Sequence, residues 1–132
     1  MKILVCGSIG YGGPEKIREI QGFLRSKGFE VIDQLSGMDY TGVRDFRDRR
    51  SLSSRIVKRD LRNIEESDVI IAVIDTPSYG TAFEMSFARE KNKRIISLCE
   101  NEVPTPWPIY FSDYVVKSRE ELLAVLEEIR AR

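Results

Sequence analysis

The chain contains no histidine, so acid-base or nucleophilic chemistry must rest mainly on carboxylates, tyrosines or cysteines. The most informative carboxylate is Glu84, which closes the segment Asp68-Val-Ile-Ile-Ala-Val-Ile-Asp75-Thr-Pro-Ser78-Tyr-Gly80-Thr-Ala-Phe-Glu84. An apolar strand and a Pro-Ser-x-Gly turn precede it. That order predicts an acid in the first turn of a helix at the carboxyl end of a strand, where open α/β sheets hold their ligands. A carboxylate there can attack a sugar carbon through an oxocarbenium-like transition state. A structural reading competes, because Thr81-Ala-Phe-Glu84 fits a capping box in which the glutamate bonds back to the cap amide. Gly80 favours chemistry by leaving the approach open, and Ser78 offers a hydroxyl at the same strand end. The two readings are compatible in part, since first-turn amides would hold the carboxylate ionised and oriented.

Asp60 is a second, independent signal. Val57, Asp60, Leu61 and Ile64 fall on one helical face, so an acid interrupts an apolar stripe. A buried acid is costly unless it is paired or functional. Either Arg55, Arg59 or Arg62 neutralises it, or it faces a crevice and handles the leaving group's proton or orients a hydroxyl. The loop Gly7-Ser8-Ile9-Gly10-Tyr11-Gly12-Gly13 has four glycines before a helix start, which lets backbone amides approach an anion closely. It lacks the Gly-Lys-Ser/Thr of a phosphate-binding P-loop and the spacing of a dinucleotide fingerprint. The plainer alternative is a turn needed only to leave the strand. Eight basic residues lie between Arg44 and Arg62, either as a phosphate-attracting lid or as a solvated surface diluted by Asp45, Asp48 and Asp60. Tyr11, Tyr79 and Trp107 are loop aromatics on which a nucleobase could stack. Trp107, between Pro106 and Pro108, is expected to have restricted exposure, or to anchor a dimer interface.

Composition narrows the classes. At 132 residues, 42% hydrophobic and with 21 basic against 21 acidic residues, the chain reads as one soluble globular domain spanning 1–132. Its zero net charge and lack of a nucleic-acid-binding motif argue against nucleic acid as a partner. The apolar runs are strand-sized and the amino terminus lacks the longer stretch of a signal peptide, so no membrane is expected and the protein is placed in the cytoplasm. Cys6 and Cys99 are not spaced as a metal or redox pair and read as reduced, buried, small residues.

The elements that must position these residues alternate. Strands are predicted at Lys2 to Cys6, Phe29 to Ile32, Asp68 to Ile74, Arg94 to Leu98 and Tyr114 to Val116. Helices are predicted after Pro14 up to Lys27-Gly28, over Ser51 to Glu66, over Thr81 to Lys91 and over Glu120 to Arg130, with 101–108 a proline-rich loop carrying Trp107. Alternation implies a parallel sheet with right-handed crossovers, hence a three-layer α/β sandwich. A flavodoxin-like order of 2-1-3-4-5 sets the switch point between the first and third strands and brings the Gly7 to Gly13 and Asp75 to Gly80 loops into one crevice.

Four pieces of sequence carry a resemblance: Cys6-Gly-Ser8-Ile9, Asp60 before Leu61, Ser-Asp68-Val-Ile-Ile-Ala, and Pro77-Ser78-x-Gly80-x-x-x-Glu84-x-x-x-Ala88 followed by Asn92-Lys93-Arg94-Ile95. Together they resemble the nucleoside 2-deoxyribosyltransferase superfamily, and within it the 2'-deoxynucleoside 5'-phosphate N-hydrolases, from residue 2 to about 98. The resemblance implies hydrolysis of the base-sugar bond of 2'-deoxynucleoside 5'-monophosphates, with no metal or organic cofactor. It implies attack by Glu84 on C1', support from Asp60, phosphate binding by Ser8 and Ser78, and substrate contacts from the Gly7 to Gly13 loop and Gly80. It also implies a homodimer with shared sites, in which the partner supplies a phosphate-binding serine near the position of Pro108; Thr105 and Ser112 are the available substitutes. Arginine often stands in that family where this chain has Gly10. Transfer of deoxyribose to a second base and non-catalytic nucleotide binding are the alternatives, and a flavin carrier follows only from fold analogy.

Overall fold

The computed structural model describes residues 1–9, 14–36 and 42–132. Five parallel strands, β1 (Lys2–Cys6), β2 (Glu30–Val31), β3 (Val69–Val73), β4 (Arg94–Leu98) and β5 (Tyr114–Val116), form one sheet in the order β2-β1-β3-β4-β5. This is the expected flavodoxin-like order. β1 lies beside β3 with Val5 opposite Ile71 and Cys6 opposite Ala72, so the chain reverses its direction of winding between them and opens a crevice at their carboxyl ends. β3 is buried along its whole length, because helices cover both of its faces. β2 is shorter than expected. As an edge strand it pairs on one side only, and its ladder is extended by the Ile32 amide donating to the Ile3 carbonyl at 2.8 Å.

Side chains alternate across the sheet and build two cores. On one face Ile3, Val5, Ile71 and Ile96 pack against Ile17, Ile20 and Leu24 of α1 (Glu15–Ser26) and Leu122 and Leu126 of α5 (Arg119–Arg130). On the other, Leu4, Cys6, Ile70, Ala72 and Ile95 pack against Ile64 of α2 (Arg50–Glu66) and Met85 and Ala88 of α3 (Tyr79–Glu90). Cys6 thus points into the layer that carries both candidate carboxylates. α1 begins after Pro14, whose fixed φ suits a helix entrance, and ends at Gly28 with φ +84, a left-handed conformation that glycine takes without strain.

Several expectations change. α3 begins at Tyr79, with Ser78 as its cap accepting from the Thr81 amide at 3.3 Å. The capping box at Thr81 is therefore not formed, and Glu84 lies in the second turn rather than the first. Ser78-x-x-Thr81 and Thr81-x-x-Glu84 are both plausible starts by residue type, and the earlier one is used. A short helix, α4 (Trp107–Phe111), occupies the end of the segment read as loop, since Pro106 and Pro108 fall where a helix tolerates proline. Trp107 on it is 70% exposed rather than restricted. Along α2, Ile56 and Ile64 are buried, but Val57, counted in the apolar stripe, is exposed.

Candidate active site

The crevice between β1 and β3 leads into a cavity of about 410 Å³, within the range that holds small ligands. Its floor and one wall are Gly7, Ser8 and Ile9 after β1, and Ser78, Tyr79, Gly80 and Glu84 at the start of α3. The opposite wall is the face of α2 carrying Ser53, Ile56, Val57 and Asp60, with Phe46 before it. The fold thus brings Glu84, Asp60, Ser8, Ser78 and Gly80 to one place from three separate elements. Gly10, Tyr11, Gly12 and Gly13 lie outside the described residues.

Each glycine at the rim has a different physical reason. A Cβ on Gly7 would come within 3.3 Å of Ile17 Cγ1 and 3.4 Å of Val73 Cβ, so Gly7 is needed for α1 to pack closely on β3. A Cβ on Gly80 would sit 3.9 Å from Glu84 Oε1 and 3.8 Å from Ser78 Oγ. That is ordinary contact distance, which means that the missing side chain leaves the near side of the carboxylate open. Ser78 places its hydroxyl oxygen on the Thr81 amide, and its own O–H remains able to donate into the cavity.

The electrostatics are those of two half-buried acids lining one cavity. Burial pushes Glu84 up to about 8; the Asp60 charge adds to the rise, and a hydrogen bond with the Cys6 thiol opposes it. Asp60 is raised to about 6 by burial, with the Arg59 guanidinium pulling the other way. Burial first, then Glu84 and Asp60, hold the Cys6 thiol well above its ordinary value, so it keeps its proton. Among the described residues no ion pair reaches either carboxylate. Arg59 donates instead to the Ser36 carbonyl at 2.7 Å. The ionised state expected for Glu84 from its helix position is therefore corrected: at neutral pH the acid pair carries a shared excess of protons.

The remaining expectations scatter. None of the basic residues between Arg44 and Arg62 lines this cavity among the described residues; Arg47, for one, pairs with Asp45 at 2.6 Å. Tyr79 lines it and is 88% exposed. Trp107 and Pro108 line two other cavities, of about 280 and 380 Å³, beside Ala82 and Met85 of α3. Ser112 is held within its own chain, its Oγ 2.6 Å from Ser97 Oγ and 2.6 Å from the Pro108 carbonyl. Thr105 Oγ1 accepts from the Trp107 amide at 3.4 Å. Phe46, Ser53, Ile56 and Val57 went unnoticed as cavity residues; the only sequence signal was that they lie on, or just before, the helix that carries Asp60. Among the described residues no cluster of three His, Cys, Asp or Glu could hold a metal ion, and no helix is long and apolar enough to cross a membrane.

A family model described as nucleoside 2-deoxyribosyltransferase matches residues 6–126. A Danio rerio protein named 5-hydroxymethyl-dUMP N-hydrolase is 31% identical over 100 residues, covering 74% of this chain and 68% of that protein. A Thermofilum pendens protein provisionally named 2'-deoxynucleoside 5'-phosphate N-hydrolase 1 is 26% identical over 86 residues, covering 65% of this chain and 57% of its own. The chain thus spans little more than half the length of that relative. Among solved structures, a 2-deoxyribosyltransferase from the psychrotolerant bacterium Bacillus psychrosaccharolyticus shares the fold, with a TM-score of 0.72 at 15% identity and coverage of 92% and 90% of the two chains.

The raised Glu84 links stability to pH. The folded protein holds this proton more tightly than the unfolded chain, so the group's contribution is full below about pH 4.5, its ordinary value, and fades as pH climbs toward about 8. Glu84→Gln removes that penalty. In urea unfolding, the variant should match wild type at about pH 4 and exceed it by about 1–3 kcal/mol at about pH 8.5. Parallel stability curves for the two proteins would contradict the burial of this carboxyl.

Proposed function

This chain belongs to the nucleoside 2-deoxyribosyltransferase family, and on that premise we propose that it is an N-glycosidase hydrolysing 2'-deoxynucleoside 5'-monophosphates to free base and deoxyribose 5-phosphate. The observation that carries the reading is the convergence of Glu84 and Asp60, two raised carboxyls, on one cavity at the topological switch point. The names of the Danio rerio and Thermofilum pendens relatives support the monophosphate substrate and hydrolysis as the outcome.

Between about pH 6 and about 8 the pair carries close to one proton. One carboxylate is then available to attack and one proton is available to leave with the base. In the attacking state the charge is on Glu84 and the proton on Asp60. Glu84 Oε1, on the side that Gly80 leaves open, bonds to C1' as the N-glycosidic bond breaks. The bonding electrons go to the base nitrogen, and Asp60 supplies the proton, directly or through the base. Asp60, now ionised, takes a proton from water, whose oxygen displaces Glu84 from C1' and restores the starting pair. Ser8, Ser78 and the backbone amides following β1 bind the phosphate end. Phe46, Ile56 and Val57 give an apolar wall against which the flat face of a base can lie.

A second copy of the chain completes the assembly. Phe83, Trp107 and Tyr110 are 73%, 70% and 69% exposed on neighbouring elements α3 and α4, more aromatic surface than a monomer usually leaves to water. We assign this face, which also carries Pro108 of α4, to a homodimer contact. Sedimentation should then give twice the chain mass of 15.2 kDa, and Trp107→Ala with Tyr110→Ala should return the protein to monomer. A wild-type monomer at micromolar concentration would overturn the assignment.

Incubation with each deoxynucleoside monophosphate, followed by chromatography for free base, tests the activity. Wild type should release base with a bell-shaped dependence of kcat/KM on pH, its limbs near about 6 and about 8. Glu84→Ala should lose at least about a thousandfold. Asp60→Asn should be slowed and should lose the alkaline limb, since no acid remains to lose its proton; the single limb left, ionisation of Glu84, should lie below about 8 because the charge that raises Glu84 is gone. Equal release by wild type and Glu84→Ala would sink the proposal, and labelled nucleoside formed from an added base would replace hydrolysis by transfer.

A further inference from the structure

The early end of β2 leaves β1 one backbone hydrogen bond short at the end that feeds the cavity. Carbonyls along a parallel strand face its two neighbours in turn. In β1 the Lys2 carbonyl accepts from the Asp68 amide, toward β3, and the Ile3 carbonyl from the Ile32 amide, toward β2, both at 2.8 Å. The Val5 carbonyl therefore faces β2, and a continued ladder would give it the amide of residue 34. β2 stops at Val31, and the side chain of Gln34 supplies the missing donor: its Nε2 donates to the Val5 carbonyl. Gln34 is held in turn by Gln21 of α1, whose Nε2 donates to Gln34 Oε1 at 2.9 Å. Gln21 is 3% exposed, a buried carboxamide on the helix face that otherwise carries Ile17, Ile20 and Leu24.

Replacing a buried hydrogen-bonded pair by apolar side chains can be neutral for stability, so what two carboxamides add here is a fixed position for the group they hold. That group is two residues before Gly7, where the cavity floor of Gly7, Ser8 and Ile9 begins. Gly7 packs closely on Ile17, and Ile9 packs against the same core cluster as Val5 and Leu35. Beyond Gln34 the chain crosses the edge of the sheet. Leu35 packs on the α1 side, and the Ser36 carbonyl accepts from Arg59 of α2, the neighbour of Asp60. The 32–36 segment thus ties the end of β1 to α1 on one face and to α2 on the other.

We propose that Gln34 is a positioning residue for substrate binding: braced by Gln21, it fixes the end of β1 so that Ser8 and the amides after the strand meet the phosphate of the substrate. This rests on the reading of that loop as the phosphate end of the site. The side-chain bond does for β1 what a ladder bond would do, without drawing the backbone after β2 into the sheet. That backbone stays available to turn toward α2, which carries the opposite wall of the cavity. Gln34 does not itself line the cavity, and Glu84 and Asp60 stand on α3 and α2. Loss of the brace therefore displaces the phosphate contacts and leaves the attacking group in place, so it acts on docking rather than on the chemical step.

The test compares wild type, Gln34→Met and Gln21→Met by base release from each deoxynucleoside monophosphate and by nitrogen NMR of the Gly7 and Ser8 amides in the full-length protein. Gln34→Met keeps the length of the side chain and loses the donor. It should raise KM by about ten- to a hundredfold with kcat within about threefold of wild type, and should move both amide resonances. Gln21→Met leaves the bond to Val5 in place but unbraced, and should raise KM by about threefold; it carries the test if Gln34→Met does not fold. An unchanged KM beside a lowered unfolding midpoint, a fall in kcat at constant KM, or unmoved Gly7 and Ser8 resonances would overturn the proposal. An inactive wild type that binds inorganic phosphate more tightly than Gln34→Met would reject the glycosidase reading while upholding the brace.

Discussion

The structure depends on keeping two carboxyl groups on one cavity at the end of a buried sheet with no ion pair to either among the described residues. Asp60 and Glu84 come from different helices, and each is raised by burial. Such a pair is expensive to fold around, because one member must hold a proton at neutral pH or the site must carry two desolvated like charges. A protein that needed only a stable core would fill these positions with leucine. Keeping the acids instead gives the site one proton and one negative charge at the same time, which is the combination that cleavage of a glycosidic bond consumes.

The sheet order makes this arrangement possible. β1 and β3 are neighbours in space but far apart in sequence, so the residues after each strand meet only because the winding reverses between them. Glu84 is placed by the early start of α3 at Ser78, which puts it one turn deeper than a helix beginning at Thr81 would. Asp60 is placed by Ile56 and Ile64, which bury one edge of α2 and leave the Val57 and Asp60 side looking into the cavity. Gly7 lets α1 lie close enough on β3 to leave the loop after β1 at the rim. The cavity is thus the consequence of three packing contacts, none of which involves a catalytic side chain.

Much of this was legible in the sequence, and the exceptions have physical causes. β1, β4 and β5 were read to their observed limits because buried parallel strands are short apolar, β-branched runs. The two carboxylates stood out because each breaks a local pattern. Two cap signatures overlap in the 78–84 segment, and the choice between them depends on how β3 ends, which residue type does not encode. The short α4 was missed because prolines near 106 look like a break, although proline is tolerated in a first helical turn. The charge state of Glu84 was misjudged because it is set first by burial and then by Asp60, which is distant in sequence. Exposure of Val57 and Trp107 likewise follows from where the cavity and the α3–α4 face lie, and periodicity cannot report either.

The central claim is that Glu84, and not Asp60, bonds to the sugar. Acid quenching of the full-length protein during turnover of a deoxynucleoside monophosphate, followed by peptide mass spectrometry, reads this bond directly. The account predicts one deoxyribosyl phosphate on the peptide containing Glu84, absent from Glu84→Gln and accumulating in Asp60→Asn. An adduct on the peptide containing Asp60 would reverse the two roles, and base release at full rate with no adduct on either acid would contradict the covalent route.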